Sequence, residues 1–177
     1  MHPMQEGAHA GGLSLRAFGA AARGAAVIFI LDRVTKTVLQ SAPVDWSGLP
    51  GNIITSVYHK NYGIIANFPL PLAVTVTVTI FVILLVLGAT WTAIKEGSAR
   101  QAAALGVLLG GALGNLFDRL AQGYVFDWIL LFERSAINLA DIAIVLGAVW
   151  YFTERRRDES RELCEARPAT PEEINRQ

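Results

Sequence analysis

A long run without a single charged side chain, residues 68–94, most constrains how this chain can fold. At 1.5 Å of rise per residue, a helix over this run is long enough to cross a hydrocarbon core about 30 Å thick. Residues 74–79 alternate valine with threonine, which by itself is typical of a strand. A lone strand in lipid would leave its backbone unpaired, whereas a helix satisfies its amides internally. The run therefore predicts a transmembrane helix.

Three other apolar segments extend this prediction to a polytopic protein. The chain has 177 residues, of which 53% are hydrophobic and 17% are charged, and this composition is too apolar for an ordinary soluble domain. The additional spans are predicted at residues 17–39, 101–119 and 137–153. The fold class is therefore all-α polytopic, with four transmembrane helices forming one membrane domain over residues 17–153.

The two ends of the chain differ in composition from this membrane domain. Residues 1–16 lack the basic start, compact apolar core and cleavage site of a secretory signal, so the first span is expected to remain as an anchor. Residues 154–177 are polar and charged, and we expect a disordered tail. Its Cys164 is the only cysteine of the chain, which predicts a free thiol.

The basic residues predict the orientation of the four spans. In a four-span arrangement one side collects Arg16, Arg23, Lys95, Arg100 and the arginines at 155–157. An excess of basic residues marks the cytoplasmic side, so both termini are predicted to be cytoplasmic.

The links on the other side, residues 41–67 and 120–136, are then extracytoplasmic. Residues 53–58 are rich in β-branched side chains and predict a short strand in a small extracytoplasmic β element.

Three glycines at a spacing of four residues mark the third span. Gly106, Gly110 and Gly114 form a stripe of small residues along one face of the predicted helix. Such stripes allow two membrane helices to approach closely, so tight packing is the expected role.

Two aspartates stand where predicted membrane helices should meet water. Asp127 lies in an apolar stretch after the third span, and Asp141 lies early in the fourth. Carboxylates inside a membrane domain are costly and indicate function. Two carboxyls within hydrogen-bonding reach share a proton, so one can act as a base and the other as an acid. An equally open alternative makes them helix caps or ion-pair partners of Arg119 or Arg134.

Amides and other charged residues accompany these aspartates. Asn115 and Asp118 share one helix face, as do Asn138 and Asp141, because each pair is three residues apart. Asp32 and Lys36 have the spacing of a helical ion pair, for which we predict a structural role or a contact with lipid headgroups.

Other protease chemistries find little support in the sequence. It contains neither a His-Glu-x-x-His zinc motif nor a Gly-x-Ser-x-Gly elbow. His59 has no obvious partner nearby, and we expect it to be a surface residue.

Five short motifs, taken together, resemble bacterial lipoprotein signal peptidases, the signal peptidase II family. In chain order they are LDRVTK at 31–36, NYG at 61–63, GGALGNLFDR at 110–119, VFD at 125–127 and NLAD at 138–141. The similarity covers roughly residues 31–149, and the glycine-rich run combined with the later NLAD is highly specific.

The resemblance implies a four-helix, inner-membrane aspartyl endopeptidase that cuts prolipoproteins just before a diacylglyceryl-modified cysteine. Asp127 and Asp141 would be the catalytic dyad. Residues that would hold the substrate backbone or orient the dyad are Asn61, Gly63, Asn115, Arg119 and Asn138. Supporting residues would be Asp32, Lys36, Gly114 and Asp118, with Asp118 fixing Arg119 and the helix end.

The same resemblance implies which partners the protein has. No metal or organic cofactor and no nucleic acid are expected, the partners are lipidated prolipoproteins and membrane lipid, and one chain forms the whole site as a monomer.

Two departures from the family pattern concern the surroundings of the site. Residues 64–69 replace the usual two small residues and an aromatic, and the link between Asp127 and Asn138 is short for the family. The short link concerns the loop that covers the site and the range of substrates, whereas the changed segment after Gly63 keeps open a catalytically silent member that binds lipidated peptides. A proton-coupled carrier that uses the carboxylates as a relay is a further alternative, although no inverted repeat is seen.

Overall fold

The structure is a computed structural model that describes residues 13–41, 54–63, 70–132 and 134–165. It contains four helices and three strands in these segments. In chain order they are α1 (Leu15–Ser41), β1 (Ile54–Asn61), α2 (Leu72–Lys95), α3 (Ala99–Gln122), β2 (Val125–Leu131), β3 (Ser135–Ile137) and α4 (Leu139–Glu165). The molecule is thus mostly helical, as predicted.

Helix α3 is the centre of the bundle and contacts each of the other three helices. Its glycine stripe faces α1: an added Cβ would meet the backbone of Ala21 at Gly106 and the backbone of Ala25 at Gly110. Gly111 faces the backbone of Ala140 on α4 in the same way. Because any side chain at these positions would push the helices apart, glycine is what lets the backbones touch. The packing role predicted for the stripe is confirmed.

A small-residue core closes one end of the bundle. Ala17 and Ala21 of α1 pack there with Ala93 and Ile94 of α2 and with Ala102 of α3. The start of α1, the end of α2 and the start of α3 therefore lie at one level, so consecutive helices run antiparallel. The end of α1, the end of α3 and the start of α4 meet at the opposite level, together with the sheet.

The three strands form one antiparallel sheet in the order β1-β2-β3. β1 begins at Ile54 and extends to Asn61, so the small predicted β element is present and longer than expected. β2 and β3 were not predicted, and they form a hairpin in the short link after α3. A single strand leaves its backbone groups unpaired, and β2 pairs with a neighbour on each edge.

Among the described helices, two are long and apolar enough to cross a membrane by length and composition, α2 and α3. Most of α2 is not covered by protein, and large apolar side chains such as Phe81, Leu84 and Leu85 are about 60% exposed. Apolar surface of this extent marks a contact with lipid or with another protein. The count of four spans stays a prediction.

The tail prediction was wrong for its first half. Residues 154–165 continue α4 as a regular helix instead of being disordered. Side chains of this extension bond to the α2–α3 turn, and the Gln101 amide donates to Asp158 at 2.8 Å. Tertiary contacts therefore offset the polar composition that argued for disorder. The remainder of the tail and residues 1–12 lie outside the described residues.

Candidate active site

The sheet and the ends of three helices bring the predicted polar residues to one level. Asp127 lies in the middle of β2, and Asn61 ends the neighbouring strand β1. Asn115 and Arg119 occupy the last two turns of α3, and Asp141 lies in the first turn of α4. Four segments that are distant in sequence thus converge on one site.

In the part of the chain that the structure describes, two side-chain amides hold Asp127. Its side chain is 0% exposed. It accepts N–H bonds from Asn61 Nδ2 at 2.9 Å and from Asn138 Nδ2 at 2.6 Å. Asn61 can reach it because Asn61 pairs with Val125, two residues before Asp127 on the same face of the sheet.

The surroundings of Asp127 make it easier to protonate than an ordinary aspartate. Desolvation by burial raises the pKa of Asp127 to about 6, and the negative charge of Asp141 adds to the effect. Hydrogen bonds from Asn61 and Asn138 and the charge of Lys36 act in the opposite direction on the pKa. Burial dominates, so this carboxyl exchanges its proton close to neutral pH.

Asp141 is both a helix cap and a cavity residue. The backbone N–H of Asn138 donates to Asp141 Oδ2 at 3.1 Å, and the backbone N–H of Asp141 donates to Asn138 Oδ1 at 3.1 Å. This reciprocal pair is a capping-box arrangement at the start of α4. The second carboxylate oxygen accepts the Asn115 amide at 2.7 Å. The helix-cap alternative is therefore correct for Asp141, and it fixes the carboxylate in place.

Asn115 joins the two aspartates to the rest of the bundle. Its Oδ1 accepts Asn138 Nδ2 at 3.2 Å and Lys36 Nζ at 3.1 Å, while its amide N–H donates to Asp141. Asn138 bonds Asp127 in turn. The dyad candidates are thus connected through two asparagines, and Lys36 anchors the chain of bonds.

Arg119 fixes the backbone beside Asn61. It donates to the carbonyl oxygen of Gly63 at 2.9 Å and to that of Asn115 at 3.2 Å. The Gly63 N–H donates to Asn61 Oδ1 at 2.9 Å, which orients the amide that reaches Asp127. Within the described residues, Asp127 and Asp141 form no ion pair with Arg119 or with Arg134.

A compact ion cluster lies next to this site on α1 and α3. Lys36 Nζ is 3.0 Å from Asp32 Oδ2 and 2.7 Å from Asp118 Oδ2. Arg33 bonds both aspartates from the outer side. The predicted Asp32–Lys36 pair is confirmed. The prediction that Asp118 fixes Arg119 was wrong, because its carboxylate pairs with Arg33 and Lys36 on α1. It does contact the end of its own helix, where the Gln122 amide donates to Asp118 Oδ1 at 3.4 Å.

Gly114 permits this cluster to form. A Cβ at Gly114 would lie 2.6 Å from Asp32 Oδ2, which is too close for two non-bonded atoms. No role was assigned to Arg33 from the sequence. In the structure its guanidinium group packs on the ring of Phe117, with 4.9 Å between its Cζ and the ring centroid. Its charge and spacing alone did not distinguish it from a residue that contacts solvent.

A cavity of about 500 Å³, lined by Asp141 but not by Asp127, opens between α2, α3, α4 and the hairpin. Its polar part includes Asn61, Asn115, Arg119 and Asp141. The rest of its wall is largely apolar and includes Val78, Val82, Leu108, Ile144 and Val145. The cavity thus offers polar groups at one end and apolar surface along the helices.

Three other sequence expectations have mixed outcomes. His59 is half-buried and lies opposite Asp127 in the β1–β2 register, a position that was not predicted. Cys164 is an exposed free thiol, as expected. Residues 64–69, where the sequence departs from the family pattern, lie outside the described residues.

Solved structures support the fold. Two structures described as a bacterial membrane enzyme superpose with TM-scores of 0.67 and 0.63, at 20% and 19% sequence identity. The first alignment covers 86% of this chain and 95% of the other, and the second covers 82% and 97%. The bundle with its small sheet is therefore the fold of those membrane enzymes.

Sequence comparisons give closer relatives. The lipoprotein signal peptidase of Pseudomonas aeruginosa strain PAO1 is 40% identical over 134 residues, covering 70% of this chain and 79% of the relative. That of Caldicellulosiruptor bescii is 33% identical over 122 residues, covering 68% and 80%. The family described as Signal peptidase (SPase) II matches residues 24–155. The chain therefore belongs to the signal peptidase II family, which makes it a peptidase.

Proposed function

We propose that this protein is a membrane aspartyl endopeptidase that removes the signal peptide from diacylglyceryl-modified prolipoproteins by cutting before the lipidated cysteine. The observation that carries the proposal is the pair Asp127 and Asp141, joined through Asn138 and Asn115 beside a largely apolar cavity. Family membership and the names of the relatives support the substrate class.

In the proposed reaction, one aspartate is ionised and the other is protonated. The ionised carboxylate takes a proton from water, and the resulting hydroxide attacks the scissile carbonyl carbon. The protonated partner donates a hydrogen bond to the developing oxyanion. Collapse of the tetrahedral intermediate breaks the C–N bond, and the protonated partner gives its proton to the leaving amine, so the two aspartates end with their protonation states exchanged. The raised pKa of Asp127, to about 6, supports a proton exchange near neutral pH.

The amides orient the dyad in this proposal. Asn61 and Asn138 donate to Asp127, and Asn115 donates to Asp141, so each carboxylate has a fixed direction. This arrangement favours an orienting role for the asparagines over the substrate-holding role.

Arg119 remains the best candidate for a substrate contact. It lines the cavity and uses only part of its five N–H groups on the carbonyls of Gly63 and Asn115. We assign it to a substrate backbone carbonyl, with the Gly63 turn beside it.

The cavity fits a substrate that is anchored in lipid. Its apolar wall runs along α2 and α4 toward the exposed apolar surface of α2. Acyl chains in the bilayer would deliver the peptide bond at a fixed depth, and this positioning lowers the barrier. The polar end of the cavity then receives the peptide backbone at the dyad.

For the membrane arrangement we keep four spans near residues 17–39, 68–94, 101–119 and 137–153. Both termini are cytoplasmic, and the sheet with the dyad faces outward from the bacterial inner membrane. The convergence of the polar residues at one level of an antiparallel bundle supports this arrangement. One chain supplies the dyad and its partners, which supports a monomeric enzyme.

The test is cleavage of a diacylglyceryl-modified prolipoprotein by the purified full chain in detergent. Asp127→Asn and Asp141→Asn should each reduce the rate by at least about 10²-fold, because acid–base catalysis alone contributes about 10²–10⁴-fold. Glu159→Gln serves as a matched control, since it also neutralises a carboxylate but on the exposed extension of α4.

Three outcomes would contradict the proposal. Retained activity in either aspartate variant would exclude the dyad. Equal cleavage of the unmodified prolipoprotein would exclude lipid recognition. Binding of the lipidated substrate by the parent without any product would identify a protein that binds lipidated peptides without cutting them.

A further inference from the structure

The extension of α4 separates its charges onto two faces. In residues 154–165 acidic side chains outnumber the arginines, so composition alone predicts no affinity for anions. Side chains three, four, seven and eight positions apart share one face of a helix. Thr153, Arg156, Arg157, Ser160 and Arg161 have this spacing, which places three arginines together.

The face that contains Glu154 and Asp158 is turned toward the bundle. Asp158 accepts the Gln101 amide at 2.8 Å and the Ser98 hydroxyl at 3.3 Å. Glu154 is only 8% exposed and pairs with Arg100 at 3.6 Å and with Arg157 at 3.5 Å. The negative charge nearest the bundle is thus used in holding the helix against the α2–α3 turn.

The adjacent face of the helix is basic and exposed. A cleft of about 530 Å³ is lined by Thr153, Arg156, Arg157, Ser160 and Arg161, without an acidic side chain in its wall. All five side chains are exposed. In the described part of the chain, Arg156 and Arg161 have no carboxylate partner. Their guanidinium groups are therefore available for an external anion.

Aromatic side chains mark the level of this cleft along the bundle. Trp150 and Phe152 are exposed on α4 just before the arginines, and Trp91 is exposed near the end of α2. Lys95 Nζ lies 5.4 Å from the centroid of the Trp91 ring. Tryptophan collects where membrane helices cross the headgroup layer. In the membrane arrangement proposed above, the cleft therefore lies at the lipid headgroups.

We propose that this arginine cleft binds the phosphate of an anionic phospholipid in the leaflet at the sheet-free end of the bundle. Guanidinium groups form bidentate bonds with phosphate oxygens, and Ser160 lines the same cleft. Basic side chains next to a span are attracted to anionic lipid. A lipid fits better than a free phosphate, because the cleft is open to the side and adjoins exposed aromatic residues. The lipid holds the α4 extension at the membrane surface.

The experiment titrates the purified full chain in detergent with short-chain phosphatidylglycerol, using an environment-sensitive dye on Cys164, the only cysteine. Arg156→Gln and Arg161→Gln should each weaken binding about fivefold, and the two effects should multiply in the double variant. Arg155→Gln is the matched control, because Arg155 lies outside the cleft and already pairs with Glu159. It should change the affinity less than twofold.

Competitors separate the possible sources of the phosphate. Short-chain phosphatidylcholine and inorganic phosphate should bind much more weakly than phosphatidylglycerol at equal ionic strength. Equal binding by inorganic phosphate would overturn the lipid assignment, and an equal loss in the Arg155 variant would show diffuse charge instead of a site.

Prolipoprotein cleavage is measured in the same samples. It should be unchanged in the arginine variants in detergent, since the cleft is remote from the dyad. Lipid binding in a parent protein that does not cleave would refute the proposed function while leaving this inference intact.

Discussion

Two groups of aspartates lie next to each other in this molecule, and their partners differ. Asp32 and Asp118 are 0% exposed and contact the cations of Arg33 and Lys36. Asp127 is equally buried, and among the described residues its hydrogen-bond donors are two neutral amides. Burial raises the pKa of Asp127, and its two amide donors act against that rise without cancelling it, so this carboxyl is easier to protonate than an ordinary aspartate.

The comparison indicates a structural role for the ion-paired aspartates and proton exchange for Asp127. The paired aspartates tie α1 to α3 through ion pairs, so their expected role is to hold the helices in register. The amide-bound Asp127 is free to gain and lose a proton. Lys36 belongs to both groups, because it pairs with Asp32 and Asp118 and also donates to Asn115, the amide that holds Asp141.

The largest effect on stability is expected from breaking the ion cluster. Asp118→Asn leaves Lys36 and Arg33 with one carboxylate between them, and removing a partner from a buried ion pair costs about 3–5 kcal/mol. Thermal unfolding in detergent should show a clear decrease in melting temperature. Asp127→Asn is the control, which should lose activity with a much smaller change in melting temperature. Equal destabilisation by both variants would remove the distinction between the two groups.

The next effect concerns the close approach of α3 to α1. Gly114→Ala places a Cβ 2.6 Å from Asp32 Oδ2, so the cluster must shift. Overpacking of this kind costs about 1–3 kcal/mol. Gly88→Ala on α2 is the matched control, since an added Cβ there has no atom within 4 Å. Thermal unfolding should separate the two variants, and equal melting temperatures would show that the cluster tolerates the displacement.

A smaller effect is expected at the residue that links both groups. Asn115→Ala removes the donor to Asp141 and the acceptor for Lys36 and Asn138. We expect kcat to fall about 10–100-fold, in line with about 1.4–2.7 kcal/mol for lost orienting hydrogen bonds. KM should change little, because the amide orients the dyad.

Steady-state kinetics with the lipidated substrate check this prediction. An increase in KM at constant kcat would assign Asn115 to substrate binding instead.

The smallest expected effect is a change in the titration midpoint of the Asp127 carboxyl. Asp127 should titrate with a midpoint at about pH 6, and Asp141→Asn should lower that midpoint, because the charge of Asp141 raises the pKa. Infrared difference spectra of the protonated carboxyl band measure both midpoints, with Asp127→Asn identifying the band. A midpoint that is unchanged in Asp141→Asn would show that the two carboxyls do not interact.

The same shift sets the pH dependence of stability. Because the pKa of Asp127 is higher in the folded protein than in the unfolded chain, the folded state binds more protons between about pH 4 and pH 6. The contribution of this group to the free energy of unfolding is therefore greatest below about pH 4 and decreases as the pH rises to about 6.

Much of the fold was predictable because it depends on local pattern. The charge-free run on α2, the glycine stripe on α3 and the Asp32–Lys36 spacing each specify a helix or a contact within a few turns of chain. The convergence of the polar segments was also predictable, because four spans that cross the membrane in alternating directions bring these segments to the same side. By contrast, β2 and β3 were missed, because strands in so short a link are recognisable only by their pairing with β1.

The sequence by itself determined the family, the apolar helices and the identity of the candidate dyad. Only the tertiary structure decided that Asp118 pairs with Arg33 and Lys36 instead of Arg119, and that Asn61 reaches Asp127. It also decided that the α4 extension is helical, with its charges divided between two faces. The physical reason is that periodicity specifies which residues share a face of a helix, whereas the partner of a buried charge is set by segments far away along the chain.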